Sequence, residues 1–366
     1  MKVAHLDTGR TWRGGQQQVL LLLEGLRARG VENLLLAPEG PLLERAAAAG
    51  HRVKRWSPHG EWDLGAIGEA RSELERFAPD IVHLHSAHAH TLGVFAARGA
   101  GRVGVVVSRR VDFSVGMNPL SWIKYRLPVD RYFCISRGVT DVMRRGGIPE
   151  RRLALVPSGI RFVTADEVSR AKDLRVERGL APGTPLIGTV AALAPHKNHL
   201  DLLRAAALVV AERPDVHFVW LGEGECRREL ESEQRKLALE RNVWMPGFRE
   251  GARAMIPQFT VFALASYLEG LCTSIMDAQS LGVPVVATNT GGIPDLVTDG
   301  DTGRLVPPRK PEALSTALLE ALAEPNRARG WAHRALTSVR AFSADHMVER
   351  SLTEYQALVA GRVRQR

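Results

Sequence analysis

Short apolar runs alternate with longer stretches of helical periodicity along almost the whole chain. In the first half, apolar runs at 3–6, 33–37, 53–56, 81–84, 103–107, 131–135 and 153–156 predict strands. Between them, 16–29 carries an apolar stripe at Val19, Leu22, Leu23 and Leu26, and helical patterns cover 41–49 and 63–77. A charged stretch, 161–183, interrupts the alternation. It then resumes with strands at 186–190, 216–221, 243–245, 261–265, 283–287 and 303–306. Helices are expected at 198–213, 227–240, 311–323, 331–341 and 344–358. Strands that alternate with crossover helices and carry unbroken apolar runs predict parallel sheets covered on both faces. Two such halves fit a chain of 366 residues.

Composition adds limits. The longest early apolar run, 19–23, is far too short to span a bilayer. The three cysteines, Cys134, Cys226 and Cys272, lack paired metal spacing, and a reducing cytoplasm is expected. Charge is uneven: residues 1–180 carry 28 Lys and Arg against 19 Asp and Glu, while the rest is balanced at 21 of each. A basic half suits an anionic partner such as a phosphate, an acidic glycan or a membrane face. An Arg-rich solvated surface accounts for it equally well. No nucleic-acid motif is present.

The densest chemistry lies at 261–308. Glu269 follows an apolar strand, a turn of small residues holds Leu271, Cys272 and Thr273, and a helix then carries Asp277 eight positions after Glu269. Gly282-Val283-Pro284-Val285-Val286 and Thr290-Gly291-Gly292-Ile293-Pro294-Asp295 follow. A strand, a tight turn and a helix N-terminus offer free backbone N–H groups to an anion such as a diphosphate. The carboxylates suit sugar or ribose hydroxyls. Together they point to a sugar nucleotide.

This segment resembles the Glu-x7-Glu region of family-four retaining glycosyltransferases, with Asp277 where the second Glu usually stands. The resemblance implies an α/β GT-B fold: two Rossmann-like doubly wound domains facing a cleft, with a C-terminal helix crossing back onto the first. On that basis the N-terminal acceptor-side domain is expected at 1–160, a linker at 161–183 and the sugar-nucleotide domain at 184–343. The crossover helix and basic tail would occupy 344–366. The implied reaction moves a hexose from a nucleotide-diphosphate sugar (a UDP-sugar first, GDP-mannose next) to a glycan or lipid-linked acceptor in bacterial envelope polysaccharide or lipopolysaccharide synthesis. The nucleotide sugar is then a substrate, and neither cofactor nor metal is expected. A cytoplasmic location, peripheral on the inner membrane face, fits that role. A sugar-nucleotide 2-epimerase of similar fold and a non-catalytic sugar-nucleotide binder are the alternatives.

The resemblance also assigns residues. Glu269 would lie near the transferred sugar, and Asp277 would hold the ribose. Lys197, in a loop similar to Gly-Arg-Leu-x3-Lys-Gly, would neutralise the diphosphate and assist its departure. Ala192 replaces the usual Arg of that loop and Asn198 the usual Gly, leaving Arg13 or Arg249 to help. Thr189, Gly222, Phe248, Arg249, Leu271, Cys272 and Thr273 would line the donor site, Phe248 near the base. Gly14 and Gly15, which permit positive φ and close backbone approach, would face the donor diphosphate. Arg13, His85, Arg109 and Arg110 would contact the acceptor or the sugar. Arg109 and Arg110 stand where a His is common, and their forks could clasp a carboxylate or phosphate, or simply be surface charge. His83, His85, His88 and His90 lie close in sequence, yet no acid accompanies them as a metal ligand would. The mixed basic and apolar stretch 113–127 suits an acceptor lobe, a membrane-touching helix or a buried one.

Overall fold

The computed structural model describes residues 1–101, 103–111 and 119–363, with 119–122 and 363 described by backbone alone. Residues 113–118 of the mixed segment and 364–366 of the basic tail lie outside the described residues.

The chain divides into two units, Met1–Gly159 with Ala344–Arg366, and Ile160–Ser343. The first is built on a seven-stranded, all-parallel sheet. Its strands are β1 (Lys2–Leu6), β2 (Glu32–Ala37), β3 (Arg52–Arg55), β4 (Ile81–Leu84), β5 (Gly104–Arg109), β6 (Arg131–Cys134) and β7 (Leu153–Leu155). Their spatial order is β3-β2-β1-β4-β5-β6-β7. The second unit has six parallel strands, β8 (Leu186–Val190), β9 (His217–Leu221), β10 (Val243–Gly247), β11 (Val261–Leu264), β12 (Val285–Thr288) and β13 (Arg304–Val306). Their order is β10-β9-β8-β11-β12-β13. Each sheet therefore reverses its winding once, between β1 and β4 and between β8 and β11. Open α/β sheets bind ligands beyond the carboxyl ends of such strands.

The apolar runs become these strands because crossover helices bury both faces. Val3, Leu35, Val82, Val106, Phe218, Val261 and Val286 are all essentially buried. Several helices start or stop on local chemistry. The Asp63 side chain caps Leu64–Phe77 through the Ala66 N–H, and Ala78 ends that helix at φ 50°. The helix expected to reach 240 stops at Lys236, and Ala238 turns at φ 54°. A helix occupies Pro325–Ser338, earlier than the pattern from 331 predicts, because proline is tolerated in a first turn.

Two segments complete the first unit from far away in sequence. The helix Ala344–Val363 packs Met347, Val348 and Tyr355 against Leu22, Leu26, Val106 and Phe133. A Cβ at Gly25 would fall 2.4 Å from Val348 Cγ2, so that helix approaches the helix Gly14–Ala28 closely. The buried Gln18 amide donates to Gly159 O and accepts from Gly159 N, both at 2.8 Å. Residues 161–183 are the stretch expected as a linker with one charged helix. They hold two short helices, Ala165–Ser169 and Leu174–Arg178, and belong to the second unit. Leu174 is buried there, and Gln258 bonds to Leu174 N and Lys172 O.

Candidate active site

In the second unit, the reversal point is spanned by charge. Lys197 ends a 3-10 turn, Pro195–Lys197, after β8, and its ammonium pairs with the Glu269 carboxylate in the loop after β11. Tyr267 N donates to His196 O at 3.0 Å, which ties the two loops together. Ser266 Oγ lies 3.4 Å from Glu269 Oε1, and Gly292 N donates to Glu269 O. Burial by itself pulls the Lys197 ammonium down. The Glu269 charge and hydrogen bond, with a contribution from Cys272, outweigh it and leave the lysine above its ordinary value. Asn198, where glycine is usual, takes φ 51° at the start of the helix His199–Glu212. Asparagine is among the few side chains that adopt this conformation readily, so the departure preserves the turn.

The small-residue turn leads into the helix Thr273–Ser280, whose first turn has no acid and no side-chain cap. Its N-terminal N–H groups remain for an anion. Cys272 is buried. Burial first, then the Glu269 charge, raises its thiol, so it stays protonated and fills space rather than attacking. Asp277 is buried on this helix and accepts from Arg253 Nη2 at 2.6 Å. Burial raises its carboxyl against the pull of that arginine. Arg253, on the turn Ala252–Met255, also bonds to Arg161 O. It was not among the expected site residues; nothing local in sequence marks it, because its partner lies 24 positions away.

Gly222 has a structural reason: a Cβ there would fall 1.9 Å from Ala191 O. The loops after β8 and β9 therefore touch backbone to backbone. Phe248 is 74% exposed beyond β10. Arg249 is engaged by Glu177 and sits over Trp244, so it is not an idle cation for a phosphate. Thr189 lies within β8, buried, with its hydroxyl unpartnered among the described residues.

In the first unit, the reversal point is spanned by hydroxyls and imidazoles. Thr8 N donates to Ser86 Oγ at 2.9 Å, and the two hydroxyls meet at 2.7 Å. Asp7, at the end of β1, accepts from Gly9 N and Gln16 Nε2. Its burial raises its carboxyl. Arg13 precedes the helix Gly14–Ala28, which has neither a side-chain cap nor an acid in its first turn. Gly14 and Gly15 are helical, not left-handed, so positive φ is not their role. A Cβ would meet nothing at Gly14 and only Arg110 Cδ, at 3.8 Å, at Gly15. The two glycines keep this edge open.

A cavity of about 440 Å³ lies at the carboxyl edge of β4 and β5, lined by His85, Ser86, His90, Arg109, Arg110 and Lys124 among others. A larger one, about 760 Å³, lies near the amino ends of β5 and β6 beside Arg98, Asp130 and Arg362, at the edge that such sheets do not use for ligands. Arg110 is deeply placed; burial lowers its guanidinium to about 10, against Asp7, so it remains charged at neutral pH. His90 packs edge-on against Tyr125 and Tyr132, its Nε2 buried without a partner among the described residues, and burial holds it down at about 3. The histidines that gather are His5, His83 and His85, with ligand-capable atoms within 4.8 Å of one another. His88 is exposed and stands apart.

Residues 171–337 match the profile of glycosyl transferases group 1, and residues 12–162 match that of Glycosyltransferase Family 4. A GDP-mannose-dependent alpha-mannosyltransferase of Mycolicibacterium smegmatis is 30% identical over 80% of this chain and 80% of its own. A UDP-Gal:alpha-D-GlcNAc-diphosphoundecaprenol alpha-1,3-galactosyltransferase of Escherichia coli is 26% identical over 67% of this chain and 66% of its own. Anabaena HepE, solved in complex with UDP, superposes with a TM-score of 0.85 at 18% identity, covering 98% of this chain and 100% of that one. The two doubly wound sheets are those of the GT-B fold. The chain belongs to the family-four glycosyltransferases.

Proposed function

We propose that this protein is a retaining hexosyltransferase that takes its sugar from a UDP-sugar, with GDP-mannose the next choice. The observation that carries the reading is the Lys197–Glu269 pair across the β8/β11 reversal point, beside the uncapped N-terminus of Thr273–Ser280. The helix N–H groups and Lys197 receive the donor diphosphate, and the lysine offsets charge on the leaving oxygen. Glu269 meets the hexose hydroxyls. Asp277, held by Arg253, takes the ribose, and Phe248 stacks near the base. The C1–O bond to phosphate breaks as the acceptor oxygen bonds to C1 on the same face. The acceptor proton passes to the departing phosphate oxygen, so no protein base is required.

The acceptor side belongs to the first unit, through Arg13, His85, Arg109 and Arg110. A glycan or lipid-linked acceptor of a bacterial envelope polysaccharide or lipopolysaccharide fits the relatives' names and the basic first half. Among the described residues no helix is long and apolar enough to cross a membrane. Contact with an anionic membrane face would therefore be peripheral.

The test is a thermal-shift panel of UDP, GDP, ADP and CMP, since a ligand of the folded state raises apparent stability. A selective rise with UDP is expected. A selective rise with GDP moves the donor to GDP-mannose. No rise with any of them overturns the reading.

A further inference from the structure

His5, His83 and His85 could be taken for a metal centre, yet their hydrogen bonds specify something else. His5 Nε2 lies 3.1 Å from Asn33 Oδ1. The Asn33 amide nitrogen donates to Val31 O at 3.0 Å, which fixes its oxygen toward His5. That oxygen only accepts, so His5 carries its proton on Nε2. The imidazole is neutral, because burial lowers it to about 4. Its Nδ1 must therefore accept, and the partner 3.0 Å away is His85 Nε2. His85 thus carries its proton on Nε2, and its Nδ1 is left as an acceptor. That nitrogen faces Arg110 Nη2 at 3.3 Å, a group that only donates. Starting from the arginine instead gives the same assignment at every link. The two ends of the chain, contributed by β2 and by the residue after β5, impose one direction without conflict.

A metal does not fit this arrangement. An imidazole bound to metal through Nε2 turns an Nδ1–H outward, and in His85 that hydrogen would meet the Arg110 donor. His83 is separately engaged, by Tyr355 Oη at 2.5 Å and Ser108 Oγ at 2.8 Å.

We propose that Asn33, His5 and His85 form a tautomer-locked relay that aims the Arg110 guanidinium into the cavity beyond β4 and β5, making His85 a positioning residue for an arginine that receives an anionic group. The relay presents the lone pair of a neutral ring to a half-buried cation. It orients Arg110 without adding a second carboxylate to that of Asp7, whose charge already acts on this guanidinium. Among the described residues Arg110 Nε is buried with no hydrogen-bond partner, and Arg109 lines the same space with Lys124, which Glu61 already pairs at 2.6 Å. The group that fits is a phosphate or a carboxylate. The role of the anion rests on the acceptor-side reading given above; the direction of the relay does not. Both His85 nitrogens are occupied, so His85 acts through Arg110 instead of touching the sugar.

The experiment is two-bond 1H–15N spectroscopy of the full chain with ring-labelled histidine, assigned with His5→Gln and His85→Gln. Both residues are expected as Nε2–H tautomers. An Nδ1–H tautomer or an imidazolium at His85 at neutral pH would overturn the relay, as would stoichiometric metal in the purified protein. A calorimetric titration with inorganic phosphate then tests the aim of Arg110. Asn33→Leu, which is remote from the cavity, should weaken binding about tenfold, the scale of one hydrogen bond to a charged group. Asn33→Gln, which keeps the acceptor oxygen, should restore it. Unchanged affinity in Asn33→Leu would overturn the positioning role. If the wild type binds no phosphate, the anion reading fails, and the tautomers alone decide the relay.

Discussion

The two reversal points share a topology and differ in what crosses them. Between β8 and β11 the crossing is an ion pair, Lys197 with Glu269. Between β1 and β4 it is a set of neutral rings and hydroxyls, His5 with His85 and Thr8 with Ser86. A buried pair is strongly coupled, since either partner alone becomes an uncompensated charge. A chain of neutral groups holds one orientation and ends on the Arg110 guanidinium, which also feels the Asp7 carboxylate. The same backbone frame therefore carries a directly paired charge in one unit and a hydrogen-bonded chain ending on an arginine in the other, and a few strand and loop residues make the difference.

The largest expected effect breaks the ion pair. Glu269→Ala should lower turnover on the order of a thousandfold, the scale of losing a preorganised electrostatic contact. It should also cost about 3 kcal/mol of stability, because Lys197 is left buried and alone. Adding Lys197→Met should recover most of that stability, read by denaturant melts, and none of the turnover. A single variant as stable as wild type would mean that the pair is not coupled.

Acid should separate the units. Burial lowers His5 to about 4 and His90 to about 3, and holds His83 and His85 well below the ordinary value. The second unit has one fully buried counterpart, His199, at about 3. Below pH 6.5 the unfolded chain takes up protons that the folded one refuses, so stability falls as pH drops. Each such histidine contributes a slope of about 1.4 kcal/mol per pH unit until its folded pKa is reached. Asp7 and Asp277, both raised by burial, oppose this once in each unit. Hydrogen exchange between pH 7 and pH 5 should show the first unit losing protection first. Equal loss in both units would break the comparison.

Two smaller effects sharpen it. Lys197→Ala should weaken UDP binding roughly tenfold by calorimetry, the scale of one charge-assisted contact. Phe248→Ala should weaken it about fivefold, near 1 kcal/mol of stacking. Because Phe248 is exposed, its loss should move the melting midpoint little.

The strands were legible because each is a buried parallel strand, and an unbroken run such as Val105-Val106-Val107 has few other uses. The loop and helix that we propose for the donor were legible as a turn entering a helix because their parts are contiguous from Glu269 to Asp277. Arg253 and the relay were not, for a geometric reason. Arg253 meets Asp277 only through the fold, and the relay joins residues from β1, β2 and the ends of β4 and β5. Its nearest visible trace is that β1 and β4 pair with His5 opposite His83, two residues before His85. That is readable only once β1 is known to neighbour β4. Gly14 and Gly15 mislead for a different reason, since a glycine pair signals unusual dihedrals or open space, and here it is the space.

The helix Ala344–Val363 gives synthesis an order. Strands β1 to β7 leave the ribosome early, but the core that holds Leu22, Leu26 and Phe133 is completed by Met347, Val348 and Tyr355. Chains are made at roughly 5–20 residues per second, and domains tend to fold as they emerge. The nascent first unit must therefore wait with an open apolar groove while nearly two hundred more residues are translated. For that interval it is a natural client for a chaperone, and a ribosome stalled before residue 344 would leave the groove bare.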